Sequence, residues 1–80
     1  FNPETIIMYH LPEAAKVKLE IYNIIGRKVA TLVNERQPTG DYFVKWNGLD
    51  DSNKHVTSGF YIYRLKSNNF IDSKKMLLLR

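Results

Sequence analysis

Gly59-Phe60-Tyr61-Ile62-Tyr63-Arg64-Leu65 is the stretch that decides the fold. Aromatic and β-branched residues dominate it and a glycine opens it, which is the composition of a strand. Successive side chains of a strand point to opposite faces, so Tyr61, Tyr63 and Leu65 share one face and Phe60, Ile62 and Arg64 the other. Both faces begin apolar, which places the strand inside a sheet rather than at its margin. Partners of matching pattern lie on either side: Tyr42, Val44 and Trp46 alternate upstream, and Met76 and Leu78 downstream. Trp46 and Tyr63 are therefore expected in or near one buried cluster.

Outward from this stretch the same period recurs. Thr5 to Leu11 alternates, with Ile7, Tyr9 and Leu11 on one face and Ile6, Met8 and His10 on the other, until Pro12 removes a ladder donor. Val17, Leu19 and Ile21 point inward while Lys16, Lys18 and Glu20 point to solvent. Asn23-Ile24-Ile25-Gly26 reads as a turn with Gly26 at positive φ. Arg27 to Val33 returns as a strand, although the spacing of Val29, Leu32 and Val33 also suits a short helix over 28–35. Gln37-Pro38-Thr39-Gly40 is a second turn, and Asp41 to Trp46 a further strand. Asn47 to Lys54 is a polar loop opened by the turn dipeptide Asn47-Gly48, with Asn53 a second left-handed residue. His55 to Thr57 is a short extended piece, and Gly59 is read as tolerating close packing where the next strand begins. Asn68-Asn69 turns the chain into the last strand, Phe70 to Leu79. About seven short strands with regular turn signals predict an all-β antiparallel sandwich.

Eighty residues make one domain with one modest core. There is no cysteine, so disulfides and thiolate metal sites are excluded. No apolar run approaches the ~20 residues a membrane helix needs, and membrane insertion is not expected. The chain opens on Phe1-Asn2-Pro3 and lacks an initiator methionine, and we read it as a piece of a longer protein. The formal net charge of +4 is carried by residues 64–80, where Arg64, Lys66, Lys74, Lys75 and Arg80 face only Asp72. That distribution points to a localised contact.

Catalysis is not expected. His10 and His55 are the only histidines, and neither has a Ser, Cys or carboxylate nearby in a catalytic arrangement. Asn47, Asp50, Asp51 and Asn53 offer oxygen ligands in one loop, but without EF-hand spacing or a closing glutamate; no metal or other cofactor is expected. Nucleic acid is disfavoured because Tyr42, Tyr61 and Tyr63 share faces with core residues rather than forming a stacking platform. Lys74 and Lys75 also suit the solvated, aggregation-blocking charges of an edge strand.

Five blocks in order resemble a known family. Phe1-Asn2-Pro3 with Tyr9-His10-Leu11-Pro12 opens the series, and Val17-x-Leu19-x-Ile21-Tyr22-Asn23-Ile24-Ile25-Gly26-Arg27 follows. Gly40-Asp41-Tyr42-Phe43-Val44-Lys45-Trp46-Asn47-Gly48, then Ser58 to Leu65, then Lys74-Lys75-Met76-Leu77-Leu78-Leu79-Arg80 complete it. The pattern resembles the type A C-terminal sorting domain of the type IX (Por) secretion system, which is itself related to the immunoglobulin-like domain of flagellar hook-capping proteins. Asn47 departs from the family's usual aspartate and Asn53 from its usual glycine.

The resemblance implies an immunoglobulin-like sandwich and a non-catalytic export signal. The cargo would lie upstream, cross the periplasm, pass the outer membrane through the type IX machinery and be released by a sortase at the cell surface. The cleavage point would precede residue 1. On this reading Lys74 to Arg80 form the recognised surface, while Gly26, Trp46, Gly48, Gly59, Tyr61, Tyr63 and Leu65 carry the structural motif. The rival is an accessory immunoglobulin-like module of a secreted protein, serving as a spacer, an assembly contact or a glycan binder using Phe43 and Phe60.

Overall fold

Val17, Leu19 and Ile21 have no exposed surface, and the sandwich is built over their common face. The structure, a computed structural model, describes residues 5–68 and 70–79. The opening Phe1-Asn2-Pro3, the second residue of the Asn68-Asn69 turn and the terminal Arg80 lie outside the described residues. The strands are β1 (Thr5–Leu11), β2 (Ala15–Asn23), β3 (Lys28–Gln37), β4 (Gly40–Trp46), β5 (Gly59–Ser67) and β6 (Phe70–Leu78). β1 pairs with β4 in a two-stranded sheet, and the order β3-β2-β5-β6 makes a four-stranded one. All pairings are antiparallel, so the class is all-β, as the alternation predicts.

The chain changes sheet between β1 and β2, between β3 and β4, and between β4 and β5. The inward residues of both sheets therefore meet. Ile7 and Leu11 of β1 and Trp46 of β4 pack on Val17, Leu19 and Ile21 of β2, Ala30 of β3, Tyr61 and Leu65 of β5 and Leu78 of β6. Trp46 is 1% exposed and meets Tyr61 edge to face, with ring centroids 5.1 Å apart and planes at 72°. Its indole N–H donates to Leu49 O at 2.9 Å, so the ring is buried without an orphaned donor. Tyr63 is half-buried against the same cluster; the aromatic partner of Trp46 is Tyr61, not Tyr63. A polar tie joins the sheets as well, since Tyr9 Oη of β1 donates to Gln37 Oε1 of β3 at 2.6 Å, and Thr39 Oγ1, in the turn before β4, donates to Leu11 O at 2.7 Å.

The described residues form six strands rather than about seven, and His55 contributes only an isolated bridge to Leu49. The stretch 28–35 is strand, as the main reading expects, and not the alternative helix, and β3 runs on past Val33 to Gln37. Its irregular spacing comes from register shifts: Leu19 faces Val33 but Glu20 faces Thr31, and Ile21 faces Ala30 but Tyr22 faces Lys28. Leu32 and Val29 are the extra residues, and an extra residue in one strand imitates a helical period locally. Gly59 is not a close-packing site, because a Cβ there would meet nothing within 4 Å. Its φ of 149° is what requires glycine.

Trp46→Ala is expected to lower unfolding free energy by about 3–5 kcal/mol, the usual cost of emptying a large aromatic site. Urea unfolding checks this; a midpoint equal to wild type would mean that Trp46 does not join the sheets.

Candidate binding surface

The predicted contact surface falls on β6, which among the described strands pairs with β5 alone and so lies at the sheet's edge. Strand geometry divides it. Leu77 faces Phe60 and Lys75 faces Ile62, which places both on the outer face of the four-stranded sheet. Met76 faces Tyr61 and Lys74 faces Tyr63, on the side of the core. Leu78 is buried and Met76 packs against the cluster, so these two hold the strand down. Lys74, Lys75, Leu77 and Leu79 are exposed. The basic end expected as one surface is thus split: Lys74 and Lys75 point to opposite sides because adjacent strand residues must. The Lys75 ammonium lies 4.5 Å from the centroid of the Phe60 ring, a cation–π contact at a solvated site.

The remaining motif residues shape the frame. Gly26 has φ 87° in the β2–β3 hairpin, where Asn23 Oδ1 accepts from the N–H groups of Ile25 at 3.1 Å and Arg27 at 2.9 Å. Gly48 is buried at φ 78°, in the turn that returns Leu49 O to the Trp46 indole. Tyr61 and Leu65 are core.

Glu20 was expected in solvent and is instead 3% exposed. Its carboxylate accepts from Tyr22 Oη at 3.0 Å, with the Arg64 guanidinium at 3.6 Å and the Lys18 ammonium at 3.7 Å. Arg64 also donates to Tyr22 Oη at 3.0 Å and lies 5.0 Å from that ring's centroid. Burial, then the hydrogen bond to the Glu20 carboxylate, raises the Tyr22 phenol above its ordinary 10.0, with Arg64 pulling the other way. Alternation shows which way Glu20 points. It does not show that Arg64 lies opposite, because that needs the β2–β5 register. Glu20→Ala is expected to cost about 1–3 kcal/mol, since it strips the partners of half-buried Arg64 and Tyr22. Urea unfolding at neutral pH tests it; an unchanged midpoint would mean the cluster is only solvated charge.

The acids of the 47–54 loop are used by the backbone. Asp50 Oδ1 accepts from the N–H groups of Ser52 at 2.8 Å and Lys54 at 3.0 Å, and Asp51 Oδ1 accepts from Thr31 N at 2.9 Å. Asn53 takes the left-handed φ of 63° the turn needs. Among the described residues, no group of three or more His, Cys, Asp or Glu is placed to hold a metal ion. The hydrogen bond from the Lys54 backbone, more than the opposing desolvation, lowers the Asp50 carboxyl below its ordinary 3.8. A depressed carboxyl stabilises the fold above its unfolded value and loses that contribution as pH falls through the folded value. Stability should therefore decline below about pH 3.8, and Asp50→Asn should flatten that decline. Identical acid limbs in the two proteins would contradict it.

His10 has a carboxylate partner that the sequence does not place beside it: its Nδ1 lies 2.7 Å from Asp41 Oδ1. The two residues face each other across β1 and β4, with side chains 63% and 78% exposed, so the pair is a solvated cross-strand contact. His55 is exposed. Phe43 faces Met8 on the two-stranded sheet and Phe60 belongs to the other sheet, so the two phenylalanines do not form one row for a glycan.

The FlgD Ig-like domain matches residues 3–69, most of the chain. The chain belongs to that family. The match ends one residue before β6, whereas a structural match extends further. FlgD from P. aeruginosa superposes with a TM-score of 0.72 at 24% identity, over 94% of this chain and 56% of the other. The FlgD Ig-like domain described here thus spans little more than half the length of that protein, and the likeness speaks for the fold. No curated protein matches the chain significantly.

Proposed function

We propose that this FlgD Ig-like domain is a non-catalytic accessory module that serves a longer protein by presenting a folded surface, with β6 as the contact strand. The observation that carries the reading is the composition of β6. Its alternate residues Met76 and Leu78 are spent on the core, while Lys75 and Leu77 are presented outward beside an edge that no described strand pairs. An open edge offers main-chain donors and acceptors to a partner, and flanking lysines set register while discouraging indiscriminate pairing. The family match supports a module embedded in something longer, since the related FlgD chain is nearly twice as long as the aligned part.

Within that reading, export is the more specific role. The ordered blocks ending in Lys74 to Arg80 resemble a type IX sorting domain, and within the last of them Lys74, Lys75, Leu77 and Leu79 are exposed to a partner. The cargo would precede the domain, pass from periplasm to cell surface and be released by a sortase.

A reporter carrying a signal peptide and this domain at its C-terminus, expressed in a host with the type IX machinery, tests this. Export of the wild-type fusion is expected. Lys74→Glu, Lys75→Glu and Arg80→Glu together should leave the domain folded, at about 0.5 kcal/mol each, and hold the reporter in the periplasm. Normal export of the folded variant would remove β6 as the recognised surface. Failure of the wild-type fusion would leave the accessory module without an export role.

A further inference from the structure

The sequence places the net charge at the C-terminal end; the sheet places it elsewhere. Register defines the outer face of the four-stranded sheet row by row. Lys28, Tyr22, Ile62 and Lys75 form one row, and Thr31, Glu20, Arg64 and Ser73 the next. Asn34, Lys18, Lys66 and Ile71 follow, with Arg36 beside Lys16 at the end. Seven of the chain's 12 lysines and arginines thus share one face with a single acid, the buried Glu20. Among the described residues, four bases and six acids lie elsewhere.

Two of these juxtapositions oppose the fold. Lys16 faces Arg36, and Lys18 faces Lys66, directly across neighbouring strands. Like charges directly opposite are destabilising in a sheet. The same face is not purely polar. Phe60 and Leu77 face each other at its β5–β6 end, each 48% exposed, and Ile71 stands 60% exposed beside Lys66. Two apolar spots, Phe60 with Leu77 and Ile71, thus stand at the two ends of the β5–β6 margin with Lys75 and Arg64 between them, and exposed apolar side chains set among one sign of charge suit a protein interface.

We propose that this outer face docks a protein partner whose surface combines apolar side chains, to cover Phe60, Leu77 and Ile71, with carboxylates for the cations between and beside them. Charge complementarity selects that occupant. A second copy of the same face would set seven cations against seven. A plain polyanion would use the lysines but leave Phe60, Ile71 and Leu77 unpartnered. This inference goes beyond the β6 edge and is independent of export.

The probe is a synthetic amphipathic helix with leucines along one side and glutamates flanking them, a shape that cannot extend a sheet edge. Its binding to the purified chain is read by fluorescence anisotropy at 0.15 M salt. Polyglutamate and a heparin oligosaccharide serve as comparison probes. The helix should bind at least tenfold more tightly than either. Lys16→Gln with Arg36→Gln should weaken it at least tenfold. Arg36 is three strands from β6, roughly 14 Å at ~4.8 Å per strand, so an effect there reports the face and not the edge. Ile71→Ser with Leu77→Ser should weaken it independently. The Gln variant should melt no lower than wild type, because it relieves a like-charge pair. Equal binding of the polyanions with no effect at Ile71 and Leu77 would overturn the proposal, as would binding by no probe. A fall in melting temperature for the Gln variant would overturn it too, by assigning these cations to the fold. Because the assay needs no secretion machinery, its failure is distinct from failure of the export reading.

Discussion

Packing of Trp46 on Tyr61 is the contact on which the rest depends. The two sheets share no strand ladder, so β1 and β4 stay on the larger sheet through side chains. Trp46 is the largest of the fully buried residues, and its edge-to-face contact with Tyr61 joins β4 to the middle of the other sheet. The indole would cost the site a buried donor were it not for Leu49 O, which Gly48 brings within reach at positive φ. One polar contact reinforces the junction, where Tyr9 of β1 reaches Gln37 of β3. A small domain with one core and no disulfide has little else to hold two layers together.

Once the layers are fixed, surfaces follow from the pleat. Burying Val17, Leu19 and Ile21 commits Lys16, Lys18 and Glu20 to the outside of β2, and burying Tyr61 and Leu65 commits Phe60, Ile62, Arg64 and Lys66 to the same side. Glu20 then sits between Lys18, Tyr22 and Arg64, closely enough packed to be lost from solvent. Among the described residues no group of three or more His, Cys, Asp or Glu is placed to hold a metal ion. What the chain displays is a charged face, an open edge strand and a solvated His10–Asp41 pair.

Much of this was legible in the sequence, and the limits have physical causes. The period of two located β1, β2, β4, β5 and β6, since side-chain direction in a strand is fixed by position alone. Gly26 and Asn53 were legible because few residues tolerate positive φ. The region 28–35 was ambiguous because two register shifts break the period where Val29 and Leu32 intrude. Gly59 was misread because its value lies in φ, which neighbouring residues do not reveal. The distribution of charge over the surface was least legible. Lys74 and Lys75 are adjacent in sequence and opposed in space, while Lys16, Arg36 and Lys66 are distant in sequence and neighbours on one face. Only register brings them together, and register is a tertiary fact.

Native-state hydrogen exchange measures the central claim, that one aromatic junction makes two sheets a single cooperative unit. If Trp46 and Tyr61 bind the layers as described, the slowest amides of β1 and β4 should open with the same free energy as those of β2 and β5. Their exchange should then track global unfolding in mild denaturant. Exchange of the β1–β4 amides at distinctly lower free energy, while β2 and β5 stay protected, would show that the small sheet detaches on its own and would contradict the account.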